Sequence, residues 1–274
     1  GAHVREAFVA RGIAPMQGIH ETLNAIRDAA WWRGAQARIL NDLPEPMVAG
    51  KPIGKTRLVS EAEGKERRAQ AGVPVPSGRQ VSGDMLGQVG GEMAYPVALK
   101  MMGPELAHKT DAGAVVLGIE SAEALKRAAT DMRVAVARYS ERAVTDLFLV
   151  EPMARAPLAE LVVGIRRDAQ FGLAMTLGSG GILVELLGDT VTLLLPSTRA
   201  EIAAALESLK VARLLDGYRG GAAADKAAVV AALEGLANYA VAHRKSLVEI
   251  EINTLFVYEN GDLAVDVLMQ LDAA

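Results

Sequence analysis

Apolar residues along this chain fall into two rhythms, and the change between them predicts its layout. Residues 3–33 read as two short helices around Gly12-Ile13-Ala14-Pro15, followed by a Pro- and Gly-rich stretch over 43–54 that has the composition of a linker. A charged helix over 60–71 stops at Gly72 and gives way to extended Val73-Pro74-Val75-Pro76. Strands are expected at 95–102 and 113–119, and Ser121 is placed to cap a long helix with Glu123 near its positive end. The second half carries closely spaced apolar runs at 146–153, 160–165, 173–177, 182–187 and 190–195. Helices over 198–215 and 225–245 follow, then two apolar-rich strands, 248–258 and 263–271, on either side of Asn260-Gly261. Strands and helices that alternate in this way predict an α/β (α+β) architecture.

Composition narrows the partners. Acidic and basic residues are mixed along the chain and leave a net charge of -4, with no basic stripe for a nucleic acid. Cysteine is absent, which removes disulfides, thiolate metal sites and a cysteine nucleophile, and fits a cytoplasmic setting. No apolar run approaches the length of a membrane span, and Arg5, Glu6 and Arg11 break up the opening segment, so neither a membrane partner nor a secretory leader is expected. The first 42 residues are too few to close a core and read as the tail of a preceding domain.

Chemistry concentrates at four places. A two-residue turn at Asn260-Gly261 would set Asn253 opposite Leu268 and Leu255 opposite Asp266, making Asn253 and Asp266 diagonal neighbours about 7–8 Å apart. Glu249 and Glu251 share their face, while Ile250, Ile252, Phe256, Val265 and Val267 point into a core. That oxygen-rich face is either a site for a hard cation such as Mg²⁺ or the solvated outside of a terminal hairpin. Lys100 ends an apolar strand, where an ammonium meets phosphate or simply marks the strand's exit into water. His108 and Lys109 lie in a polar loop; a neutral imidazole is a competent nucleophile, and a surface loop histidine is the plain alternative. Gly178-Ser179-Gly180-Gly181 is either a backbone cradle for an anion or a tight turn.

Taken in order, several segments resemble the ATP-grasp part of ADP-forming acyl-CoA (acetate–CoA ligase) synthetases, relatives of the succinyl-CoA synthetase β subunit. They are Ala71-Gly72-Val73-Pro74-Val75, Tyr95-Pro96-Val97-Ala98-Leu99-Lys100, His108-Lys109-Thr110-Asp111-Ala112-Gly113 and Val150-Glu151-Pro152-Met153. Further on come Glu160-Leu161-Val162-Val163-Gly164, Gly178-Ser179-Gly180-Gly181 with Glu185, Gly217-Tyr218-Arg219-Gly220 and Glu249-Ile250-Glu251-Ile252-Asn253. The resemblance spans about 57–271.

It implies an ATP-grasp fold of two α/β subdomains: a helical tail of a preceding ligase domain at 1–42, a linker at 43–56, and subdomains at 57–148 and 149–274. By the same resemblance Lys100 holds ATP phosphates, Glu151 and Glu160 lie beside the nucleotide, and Gly180 and Gly181 belong to the nucleotide loop. Asn253 and Asp266 bind Mg²⁺, and His108 carries a phosphoryl group. The complete enzyme would turn a small carboxylic acid, CoA and ATP into acyl-CoA, ADP and phosphate. CoA would be held by CoA-binding and ligase domains of the same protein or of a partner subunit. Another ATP-grasp carboxylate ligase, or a nucleotide-binding regulatory module, is the alternative. Two departures stand out: Thr254 where the family usually has Pro, and Ala114 in place of a second glycine.

Overall fold

The computed structural model describes residues 2–16, 18–41, 54–59, 61–106, 109–181 and 188–273. The chain divides into two compact units, Gly1–Pro46 and Met47–Ala274. The first holds helices α1 (Ala2–Val9) and α2 (Ile19–Asn41). The second helix is longer than the short one expected there. None of the side chains of α1 is buried, and Trp31 and Trp32 of α2 are exposed. Among the described residues of this unit Ala35 alone is buried.

The second unit contains two antiparallel sheets. Strands β2 (Arg79–Ser82), β5 (Leu147–Pro152), β3 (Val97–Met101) and β4 (Val115–Ile119) form the smaller one, in that order. The larger runs β1 (Thr56–Val59), β11 (Val267–Asp272), β9 (Leu247–Val257), β6 (Ala159–Asp168), β7 (Gly172–Ser179) and β8 (Thr190–Leu194), with β10 (Asp262–Ala264) beside β9. Helices α3 (Glu61–Gln70), α4 (Leu86–Glu92) and α5 (Ala122–Tyr139) belong to the first half of this unit. Helices α6 (Arg199–Ser208), α7 (Ala212–Leu215) and α8 (Lys226–Ala242) belong to the second. The expected strand at 182–187 lies outside the described residues.

Each sheet buries one face under helices. In the small sheet Val97, Leu99, Met101, Phe148 and Val150 pack with Leu125, Ala129, Met132 and Val136 of α5. Ser121 caps α5 as its sequence implies, its hydroxyl accepting from the Ala124 amide at 3.2 Å. In the large sheet Leu161, Val163, Ile165, Met175, Leu177, Ile250 and Ile252 pack with Ile202 and Leu206 of α6 and Val229, Leu233 and Leu236 of α8. Removing this many aliphatic side chains from water is the principal source of stability. The period of two then leaves Lys100 and Glu151 on the other face of the small sheet. Val162, Gly164, Arg166, Thr176, Glu249 and Glu251 stand on the other face of the large one, lining a groove of about 350 Å³.

Four sequence expectations need revision. The division at 148/149 falls inside β5, which lies wholly in the small sheet. Residues 56–59, the last of the expected linker and the first three of the expected subdomain, with no strand expected there, form β1, antiparallel to β11 from Thr56 opposite Asp272 to Val59 opposite Met269. The helix expected over 198–215 breaks at 209–211, because the Asp189 carboxylate takes the amides of Lys210 and Val211 at 2.8 and 3.0 Å. The closing turn is wider than two residues: Val257 pairs with Asp262, and the Tyr258 amide donates to the Gly261 carbonyl at 3.0 Å. Gly261 supplies the positive φ of 86° that this loop requires.

Candidate active site

The wider turn slides the last two strands by two residues relative to expectation. Leu268 therefore faces Glu251, not Asn253. Continuing the register from Ala264 opposite Leu255 and Val267 opposite Ile252 puts Asn253 level with Asp266, directly across rather than diagonal. A slip of two keeps each side chain on its own face, so the pair still meets. Asn253 and Asp266 line one cleft of about 270 Å³ together with Lys109, Thr110, Asp111 and Glu251.

A second correction concerns the core. Around the break in β9 the buried positions are Ile250 and Ile252, then Leu255 and Val257, so Phe256 is only half-buried. Relative to β6, the strand carries one extra residue at this point: Leu161 faces Leu255, but Val162 faces Asn253. The partner strand changes phase at the same level, with Asp262 and Ala264 buried before the break and Val267, Met269 and Leu271 after it. Val265, expected in the core, is half-buried in the break. Thr254, where the family usually has Pro, follows a cis peptide and donates its hydroxyl to the Leu161 carbonyl at 3.0 Å.

Lys100 reaches this break from the small sheet. Its side chain is buried, and its ammonium donates to the Val265 carbonyl at 2.9 Å, one residue before Asp266. It also lies 3.1 Å from Glu151 Oε2. The register explains the pair: Ala98 faces Glu151 and Lys100 faces Leu149, making Lys100 and Glu151 diagonal neighbours on one face. The other carboxylate oxygen of Glu151 accepts from Lys65 of α3.

Glu160, Gly180 and Gly181 gather around Thr254. The Gly180 amide donates to the Glu160 carbonyl at 2.6 Å. A Cβ on Gly180 would lie 2.8 Å from the carbonyl carbon of Glu160 and 2.9 Å from the Thr254 hydroxyl, so this approach demands glycine. Gly181, with φ at 78°, lies over the Glu160 carboxylate. The preceding Ser179 is anchored by Asp189, which accepts its hydroxyl at 2.5 Å. Burial pushes the Asp189 carboxyl up, but the Ser179 hydroxyl and the Lys210 and Val211 amides outweigh it and hold the carboxyl below the usual aspartate range.

Thus Lys100, Glu151, Asn253 and Asp266 are joined through the Val265–Asp266 segment, and Glu160, Gly180 and Gly181 adjoin it at Thr254. His108 lies outside the described residues. Lys109, next to it, is buried, with its ammonium 3.6 Å from Asp266 Oδ1. Lys65 is the residue that sequence reasoning passed over. It sits in a charged helix, where no apolar stripe marks it as buried.

The oxygens of Asn253, Glu251 and Asp266 suit a hard cation that takes one or two protein ligands and completes its shell from water and phosphate. Among the described residues no three histidine or carboxylate side chains cluster to hold a metal by themselves. No helix among the described residues is long and apolar enough to cross a membrane.

Comparison with known proteins bears on the same region. A family model described as an ATP-grasp domain matches residues 54–271. The β subunit of acetate–CoA ligase [ADP-forming] II from Pyrococcus furiosus is 34% identical over 213 residues, which is 77% of this chain and 89% of that protein. The acetyl-coenzyme A synthetase 1 of Ca. Korarchaeum cryptofilum, in complex with coenzyme A and Ca-AMPCP, superposes with a TM-score of 0.73 at 29% identity. That match covers 78% of this chain and 93% of the other. A further structure of that synthetase, with coenzyme A and Mg-AMPPCP and its phosphohistidine segment pointing towards the nucleotide binding site, has a TM-score of 0.66 at 26% identity over the same shares of the two chains. The chain is a member of the ATP-grasp family, in the group that includes the β subunits of ADP-forming acetate–CoA ligases.

Proposed function

We propose that this chain is the ATP-binding and phosphoryl-transfer module of an ADP-forming acid–CoA ligase. The observation that carries the reading is the meeting of Lys100 with the strand break that holds Asn253 and Asp266. A cation from one sheet is hydrogen-bonded to the residue before Asp266, whose carboxylate lines a cleft with Asn253 of the other sheet, the combination of groups that Mg-ATP calls for. The neighbouring synthetase binds Mg-AMPPCP and carries a phosphohistidine segment, which supports the same assignment.

In this reading Lys100 binds the phosphates, Glu160 with Gly180 and Gly181 shapes the nucleotide's surroundings, and Glu151 orients Lys100. Mg²⁺ held by Asn253 and Asp266 would neutralise charge on the transferring phosphoryl group. His108 is the acceptor: its imidazole lone pair forms an N–P bond as the P–O bond to ADP breaks, and the ring then releases a proton. The phosphoryl group passes on to the CoA-dependent half-reaction. That half belongs to CoA-binding and ligase domains, either fused to this chain or in a separate subunit, as the name of the Pyrococcus relative suggests. The absence of cysteine supports a cytoplasmic setting.

The test is labelling with γ-³²P-ATP and Mg²⁺, with and without the CoA-binding subunit of a relative. An acid-labile, alkali-stable adduct that disappears in His108→Gln is expected. Labelling that persists in His108→Gln would overturn the role of this histidine. Tight Mg-ATP binding with no adduct under either condition would favour the carboxylate–amine ligase or the regulatory module.

A further inference from the structure

We propose that Lys65 is a positioning residue for the nucleotide phosphates, acting through Glu151 on Lys100; the inference rests on Lys100 being the phosphate lysine. Lys65, Glu151 and Lys100 are all buried, with 5%, 3% and 6% of their surface exposed. Glu151 divides its two oxygens between the lysines, Oε1 to Lys65 and Oε2 to Lys100. Ionic groups removed from water in this way rarely contribute more to stability than apolar side chains of the same volume. Their arrangement is better explained by what they hold in place.

The contacts form a ring. Gly64, beside Lys65 on α3, faces β11, where a Cβ would come into ordinary contact with Val267 Cγ1 at 3.5 Å. Lys65 meets Glu151, Glu151 meets Lys100, and Lys100 donates to the Val265 carbonyl. The ring therefore closes on both neighbours of Asp266, at Val265 and at Val267. Gly78 leaves this carboxylate its place, since a Cβ there would lie 3.0 Å from Glu151 Cγ and 3.1 Å from Oε1. With Lys65 present, one oxygen is engaged and only the other faces Lys100. Without it, both oxygens are open to the Lys100 ammonium, which is then drawn towards the carboxylate and away from an incoming phosphate.

The experiment is calorimetry with Mg-ATP on Lys65→Met, Lys65→Gln, Lys65→Arg, Glu151→Gln, the Lys65→Met/Glu151→Gln pair and Lys100→Ala. Lys65→Met and Lys65→Gln should each weaken binding about 10-fold, the scale of one charge-assisted contact, while Lys65→Arg should stay within about 3-fold of wild type. In the Glu151→Gln background Lys65→Met should change affinity by less than about 2-fold, since its effect runs through that carboxylate. Lys65→Gln keeps the test alive if Lys65→Met does not fold. Unchanged affinity with a lowered melting temperature would reduce Lys65 to a structural residue, and losses that add in full would remove Glu151 as the intermediary. Should Lys100→Ala leave affinity untouched, the phosphate site itself is misplaced; should Lys100→Ala weaken binding while the Lys65 variants do not, this inference alone falls.

Discussion

The ammonium of Lys109 stands 3.6 Å from the carboxylate of Asp266, across the cleft that Asn253 also lines. An aspartate that binds a metal must exchange this neighbour for the ion, so the two cations compete for one carboxylate. Asp266→Asn keeps the side-chain shape and removes the charge. It should raise the Mg²⁺ concentration needed for half-maximal nucleotide binding by about 10-fold or more. A magnesium titration at fixed ADP measures this, and an unchanged midpoint would exclude Asp266 as a ligand.

Lys100 is the second point of leverage. Its ammonium is buried between the Glu151 carboxylate and the Val265 carbonyl, one residue before Asp266. Lys100→Ala should weaken Mg-ATP binding by about 10- to 100-fold, the range for a hydrogen bond between charged groups. Calorimetry reads this directly. Circular dichroism on the same variant separates lost affinity from lost fold, since Glu151 keeps Lys65 as a partner.

Gly180 gives a purely steric prediction. A methyl group at this position would enter the carbonyl of Glu160 and the hydroxyl of Thr254 at under 3 Å. Both belong to packed strands that cannot withdraw freely. Gly180→Ala should cost about 1–3 kcal/mol in urea unfolding, the usual scale of overpacking. A loss below about 0.5 kcal/mol would mean that the strands give way more readily than the geometry implies.

Asp262 predicts a pH dependence of the opposite sign to most aspartates. Burial and the neighbouring Asp225 carboxylate push its carboxyl up from 3.8 to about 6, and Oδ1 has no hydrogen-bond partner. The folded state thus binds this proton more tightly than the unfolded chain does. The stabilisation is complete below about pH 4 and is lost as pH rises through 6, amounting to at most about 3 kcal/mol. Asp262→Asn should be more stable than wild type at pH 7 to 8 and show less of this decline. Denaturant unfolding of both proteins from pH 4 to pH 8 tests it, and parallel curves would refute it.

How much of this was written in the chain varies with the range of the interaction. The Lys100 strand, the Ser121 cap and the alternation that turns Glu251 away from Ile250 and Ile252 are local patterns, and the fold keeps them. The width of the last turn is not local. Asp225, 36 residues earlier in sequence, caps α8 through one oxygen and receives the Gly261 amide through the other at 3.3 Å. Asn260-Gly261 announces a reversal, but the loop's length is set by that distant carboxylate. Strand β1 and the break between α6 and α7 were missed for the same reason. Each depends on a partner far along the chain, β11 in one case and Asp189 in the other. Lys65 was hidden differently: its neighbours in sequence are charged, and its burial follows from Glu151, 86 positions away.

The simultaneous change of phase in the two final strands restricts how this region can vary. Deleting one residue from β9 before Asn253 would exchange the solvent and helix sides of every position as far as the break, sending isoleucines into the cleft and glutamates beneath α8. Substitutions leave that bookkeeping intact, whereas a single insertion or deletion upsets it on one strand only. Homologous segments should therefore differ freely in residue type while keeping the spacing of both strands on either side of the Asn253–Asp266 level.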